Sequence, residues 1–219
     1  MNLLPTYSFE NIFNHNEINE VVSLIKNHGH NLDDDSSFYP DTGKNGRNQG
    51  KIIANNIFWD YHQHKNIENI LTPKLEKIIK KKLIVTEAHL LQSKIPYLIH
   101  TDFVHDNKGL TPEYTLLIPI DTYDSYTICF NEWAEELNDF QIYKSNCKEE
   151  PKLRIDPKFC ADRLSHLHPN DLKYLTIHET FKWNKGSVFA MDRRYFHCSD
   201  NYKKRKIDGK NAIVLWTLS

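Results

Sequence analysis

The chain lacks several features that would direct it to other classes. It has no apolar run near 18 residues, so no membrane-spanning helix is expected. Its first residues, Met1-Asn-Leu-Leu-Pro5, have no basic stretch leading into an apolar segment, so no signal peptide is expected. It lacks a charge excess of either sign, with a net charge of −1 over 219 residues. That balance favours neither nucleic acid nor an anionic membrane as a partner. The four cysteines, Cys129, Cys147, Cys160 and Cys198, have no C-x-x-C spacing and read as free thiols in a reducing cytoplasm. There is no internal repeat and no low-complexity tract.

Aromatic residues are plentiful. Eleven tyrosines, eleven phenylalanines and four tryptophans can fill a core although only 39% of the chain is hydrophobic. The length suits one domain, residues 1–219. Residues 1–82 read as a helical support region. Asn16 to His28 is a helix capped by Asn16, with an apolar stripe at Ile18, Val21, Val22 and Ile25, ended by Gly29. Asn31 to Gly50 is a polar loop, and Ile52 to Trp59 a short strand or turn region near the site. Asn66 to Lys82 is a second helix in two pieces around Pro73, with lysines crowding its C-terminal end.

From Leu83 the pattern becomes that of strands. Leu83–Gln92, Pro96–Thr101, Tyr114–Ile120 and Tyr126–Phe130 come first. Thr176–Trp183, Ser187–Met191, Tyr195–Cys198 and Asn211–Leu218 follow. Asp106-Asn107-Lys108-Gly109 reads as a turn, and residues 131–173 as an insert holding a helix from Asp156 to about His166. Helices followed by about eight strands give an α+β domain with a β-sandwich or jelly-roll barrel at 83–219.

One stretch organises this pattern. In Tyr97-Leu-Ile-His100-Thr-Asp102 the two polar side chains are two residues apart, so on a strand they share a face, within about 7 Å of each other. A second histidine follows at His197, after a buried strand and the polar turn Asp192-Arg193-Arg194. Two imidazoles and one carboxylate form the facial triad that holds Fe(II) and leaves coordination positions open. Competing clusters are weaker. His105 has odd parity to His100 and Asp102, while His166 and His168, near Asp171, read as surface histidines.

Tyr97-x-x-His100-x-Asp102, Asp192-Arg-Arg-x-x-His197 and Lys210-Asn-Ala-Ile-Val-Leu-Trp216 together resemble the prolyl-hydroxylase-like branch of the 2-oxoglutarate and Fe(II)-dependent oxygenases. The resemblance covers roughly Glu87 to Leu218. It implies a double-stranded β-helix (a jelly-roll or cupin-like barrel) with the N-terminal helices packed outside. It implies His100, Asp102 and His197 as the metal-binding catalytic residues, and Lys210 as the cation for the distal carboxylate of 2-oxoglutarate. Arg205 is the rival for that role, though Lys203-Lys-Arg-Lys206 reads better as a solvated turn. Tyr97 either reaches 2-oxoglutarate or a ligand, or packs in the core. Arg193 and Arg194 brace the turn before His197.

The implied cofactors are Fe(II), 2-oxoglutarate and O2, with ascorbate as an auxiliary reductant. The implied reaction couples decarboxylation of 2-oxoglutarate to succinate with oxidation of a small-molecule or peptidyl substrate. Halogenating members of the family replace the carboxylate ligand, so Asp102 favours hydroxylation. The sequence departs from the family at Ile118-Pro119, where better-known relatives carry a tyrosine for the cosubstrate, leaving Tyr114 or Thr127 to make that contact. The insert is expected to cover the site. The alternative is a cupin-like barrel that binds a metal and a small acid without O2 chemistry.

Overall fold

A computed structural model describes residues 3–32, 54–102, 112–134 and 140–218. The Asp106–Gly109 turn lies outside these residues, as does most of the Asn31–Gly50 loop. In chain order the elements are β1 (Tyr7–Phe9), α1 (His15–His28), β2 (His30–Leu32), β3 (Ala54–Phe58), α2 (Lys65–Ile79), β4 (Ile84–Ser93) and β5 (Pro112–Pro119). Then come β6 (Tyr126–Trp133), α3 (Phe140–Asn146), α4 (Pro157–Arg163), β7 (Ile177–Lys182), β8 (Val188–Asp192), β9 (Tyr195–Ser199) and β10 (Lys210–Leu218).

The strands form two antiparallel sheets. The larger has seven strands in the order β1-β8-β5-β10-β4-β3-β2, and the smaller three in the order β7-β6-β9. Strand alternation sorts the side chains of the large sheet into two sets. One set, including Ala88, Leu90, Leu116, Ile118, Ile213 and Leu215, packs under α1 and α2. The other set includes Leu117, Phe189, Met191, Ala212 and Val214. It meets Cys129, Phe181, Trp183 and Tyr195 of the small sheet, so the two sheets pack face to face.

Both helices form because their buried residues recur at helical spacing: Ile18, Val21 and Ile25 in α1, and Ile67, Leu71, Leu75 and Ile79 in α2. The cap of α1 is Asn14 rather than Asn16. Its side chain accepts from the backbone of Asn16 and Glu17, and Glu17 accepts from the Asn14 N–H, completing a capping box. α2 is one helix that runs through Pro73 rather than two pieces. An interior proline costs about 3 kcal/mol. Burying the four apolar side chains of α2 contributes about 1.5–3 kcal/mol each, so packing outweighs it.

The described part of the 131–173 insert packs on the outer face of the small sheet. Phe140, Leu164, Leu172 and Leu175 cover Ile128, Phe130, Phe196 and Cys198 there. The described part of the insert reaches the site segment through Leu98 and Ile99, which join this cluster, and through His166. His166 is not a surface histidine. It lies half-buried with Nε2 3.2 Å from the Tyr97 carbonyl, and burial pulls its pKa down to about 4. Among the described residues, no helix is long and apolar enough to cross a membrane.

Candidate metal centre

Residues 96–101 do not form a strand. Pro96 has no N–H to contribute to a ladder, and only the isolated bridge His100↔His197 is made. The segment is nevertheless extended, anchored by two backbone bonds between His100 and His197 (3.0 and 2.8 Å) and by the Asp102 N–H to the Arg193 carbonyl (3.1 Å). The expected alternation therefore holds, and His100 and Asp102 lie on one side. β9 brings His197 opposite them.

His100, Asp102 and His197 each offer one ligand atom, and these atoms lie within 4.8 Å of one another. The His100 and His197 rings are 4.2 Å apart. Nε2 of His100 is 3.7 Å, and Nε2 of His197 3.5 Å, from the Asp102 carboxylate. Those separations are longer than hydrogen bonds. In each ring Nδ1 faces a backbone carbonyl, Leu98 O at 2.7 Å and Tyr195 O at 3.1 Å. A carbonyl can only accept, so Nδ1 carries the hydrogen and, in the neutral ring, Nε2 presents its lone pair.

The carboxylate is fixed as well. The Thr115 hydroxyl donates to Asp102 Oδ2 at 2.7 Å, and Arg193 Nε donates to the Asp102 carbonyl at 2.9 Å. Burial alone would raise the Asp102 pKa. The two histidines, Thr115 and Arg193 outweigh it and hold the pKa below the usual carboxylate value. Burial, reinforced by His197, pulls the His100 pKa down to about 4 against the attraction of Asp102. Two imidazoles, each turned with Nε2 inwards, and one carboxylate thus converge towards a common point. This donor set, with its outer hydrogen bonds already made, fits a divalent transition metal.

Lys210 opens β10 opposite Ser93 of β4 and is fully buried. Its Nζ donates to the Tyr126 carbonyl at 3.3 Å and lies 4.0 Å from the Trp183 ring centre and 5.1 Å from that of Tyr202. Asp200 attracts it but is already engaged by Ser125 at 2.5 Å and Arg163 at 3.2 Å. Burial pulls the lysine down to about 7. Arg205 lies elsewhere, paired with Asp124 at 3.2 Å and Asp162 at 2.6 Å. The Tyr97 ring sits 5.5 Å from His100. Tyr114 belongs to the outer cluster under the helices, while Thr127 accepts from Trp183 Nε1 at 2.9 Å in the interior. Arg194 pairs with buried Asp192 at 2.5 Å and braces the turn, whereas Arg193 Nε reaches out of it to the Asp102 carbonyl. Thr115, Trp183 and Tyr202 escape a sequence reading because their roles depend on partners in other strands.

No protein-family model and no curated protein sequence matches the chain. Solved structures do. The non-heme α-ketoglutarate-dependent carbocyclase SnoK from nogalamycin biosynthesis aligns with TM-score 0.57 at 9% identity, over 98% of this chain and 80% of that one. The epimerase SnoN, in complex with Fe3+, α-ketoglutarate and nogalamycin RO, aligns at 0.55 and 10%, over 98% and 78%. HygX from Streptomyces hygroscopicus, with nickel and 2-oxoglutarate bound, aligns at 0.50 and 10%, over 98% and 82%. The fold is that of the non-heme 2-oxoglutarate-dependent enzymes. At these identities the likeness is one of fold. Within that 2-oxoglutarate-enzyme fold, the triad lies where the extended 96–102 segment meets β9, and Lys210 lies between the sheets.

Proposed function

We propose that this protein is an Fe(II)- and 2-oxoglutarate-dependent oxygenase, a hydroxylase, whose residues 1–219 form one double-stranded β-helix domain. The observation that carries the reading is the pairing of the His100-Asp102-His197 donor set with one sealed cation, Lys210. Among the described residues this buried ammonium meets a carbonyl and two aromatic faces, with Asp200 attracting it but engaged elsewhere, and an entering carboxylate would compensate it. Tyr126, whose carbonyl Lys210 reaches, lies three residues along β6 from Cys129, which pairs with His197. That is about 10 Å of strand. A five-carbon diacid with a contact at each end spans such a distance.

In this reading, His100, Asp102 and His197 hold Fe(II). Lys210 takes the far carboxylate of 2-oxoglutarate, with Thr127 and Tyr202 beside it. Thr115 and Arg193 keep the Asp102 carboxylate aimed at the ion. Tyr97 closes one side of His100. Bound Fe(II) with 2-oxoglutarate and O2 would supply oxidation of a substrate C–H bond, coupled to decarboxylation to succinate. The free thiols Cys129, Cys147, Cys160 and Cys198 fit a reducing cytoplasm.

The test is succinate release from 2-oxoglutarate with Fe(II) and ascorbate, which needs no knowledge of the substrate. Release that depends on Fe(II) and is lost in Asp102→Ala supports the reading. Metal binding without any release favours the cupin-like alternative.

A further inference from the structure

Among the described residues, the face of β4 and β10 that meets the small sheet is buried at one end and exposed at the other. At the Lys210 end, Lys210, Ser93 and Tyr202 are buried. Along the same face of β4 the side chains that follow are Leu91, His89 and Glu87. Leu91 is half-buried and the Glu87 side chain is 49% exposed. Glu87 pairs with Trp216 of β10, and Trp216 with Thr115 of β5, the residue whose hydroxyl holds Asp102. Glu87 therefore lies two strands from Thr115, about 9–10 Å away, with the half-buried Trp216 indole between them.

We propose that Glu87, with Trp216 beside it, determines specificity at this exposed end and takes a cationic group of the substrate, an ammonium or a guanidinium. The proposal rests on the oxygenase reading for the word substrate, and on the geometry of β4 and β10 for the charge. Two features carry it. First, the Glu87 carboxylate faces the same interior as the triad, close enough to Asp102 and Arg193 for their charges to act on it. His89 lies beside it: Nε2 is 3.7 Å from the carboxylate, longer than a hydrogen bond, and the ring stands edge-on to Trp216 at 4.7 Å and to Phe58 at 5.5 Å.

Second, Trp216 presents an aromatic surface next to that carboxylate, and its Nε1 has no hydrogen-bond partner among the described residues. A carboxylate beside an indole is the pairing that holds an organic cation.

The experiment is calorimetry on the protein loaded with Zn(II), which does no redox chemistry, and 2-oxoglutarate. Three probes are compared: N-acetyl-arginine methylamide, its neutral isostere N-acetyl-citrulline methylamide, and N-acetyl-glutamate methylamide. The parent is expected to bind the arginine probe about ten-fold or more tightly than the citrulline probe, as a charge-assisted contact requires. Glu87→Gln, which keeps the shape, is expected to erase that preference, and Glu87→Lys to shift it towards the glutamate probe. Failure of the arginine probe to bind the parent overturns the proposal. So does equal binding of arginine and citrulline, or a preference that survives in Glu87→Gln. Succinate release by the parent tests the oxygenase reading separately. Release without the arginine preference sinks this proposal alone, whereas the preference without release sinks the oxygenase reading and keeps the cation site.

Discussion

At the scale of single residues, the proposed function places the metal on one carboxylate with two imidazoles and the cosubstrate on one ammonium. Replacing Asp102 by Ala removes the carboxylate from the three converging ligand atoms and leaves the Thr115 hydroxyl without its acceptor, while the Arg193 bond to the backbone carbonyl remains. Loss of stoichiometric Fe(II) or Zn(II) binding is the expected outcome, measured by metal titration; full occupancy in the variant would refute the assignment. Lys210→Met nearly preserves the apolar stem between Trp183 and Tyr202 and removes the charge. It is expected to keep the metal and to raise the 2-oxoglutarate requirement about 10- to 100-fold, roughly 1.5–3 kcal/mol. Lys210→Arg should retain part of the affinity, and Arg205→Met should leave the requirement unchanged, since Arg205 is paired with Asp124 and Asp162.

The same lysine predicts a pH dependence with a definite sign. Burial lowers its pKa to about 7 in the ligand-free protein, so the ammonium is present below that pH and lost above it. A carboxylate binds the ammonium, so binding must take up a proton above pH 7. Affinity for 2-oxoglutarate is therefore expected to fall as pH rises beyond about 7, with proton uptake visible as a buffer-dependent heat. A flat affinity from pH 6.5 to 9 would refute the role.

Among elements, α1 offers the plainest test. Asn14→Ala removes the side-chain half of its capping box and is expected to lower stability by about 1 kcal/mol, read from a denaturant midpoint at unchanged slope. The turn before β8 is tighter. Gly186 has φ +78, and a Cβ there would stand 2.0 Å from the Phe13 carbonyl oxygen. Gly186→Ala should therefore destabilise well beyond the loss of a cap.

These elements also separate what sequence can reveal from what it cannot. α1 and the central strands were legible because their signals are local: a cap, a stripe at helical spacing, an apolar run. The cap was misplaced by two residues because Asn14 and Asn16 are both good caps, and only the return bond from Glu17 selects Asn14. The triad was legible because residues two apart on any extended segment share a side, whether or not a ladder forms. Three features were not legible. β1 pairs with β8 across most of the chain, the described part of the insert packs on the outer face of the small sheet, and Glu87 lies beside Trp216. Each depends on register between distant strands, which no window of neighbouring residues encodes.

For the molecule as a whole, the buried histidines set the acid limit. His100 and His166 both have folded pKa values near 4, chiefly from burial, against an ordinary value of 6.5. Between those pH values the unfolded chain takes up protons that the folded chain refuses. Stability of the metal-free protein is therefore expected to decline as pH falls from about 6.5 to 4. Thermal melts across that range check this, and His166→Gln should flatten the decline.

The position of β10 has a consequence for how the chain is made. Residues 210–218 come last among the described strands, yet they lie in the middle of the larger sheet, between β5 and β4. During synthesis, β4 and β5 are finished long before the strand that separates them exists, and each holds an open edge towards the missing neighbour. Such edges pair readily with other chains. A nascent protein that stalls before Lys210 therefore carries two adhesive strands. The nine residues of β10 close both edges at once and bring Lys210 between the sheets.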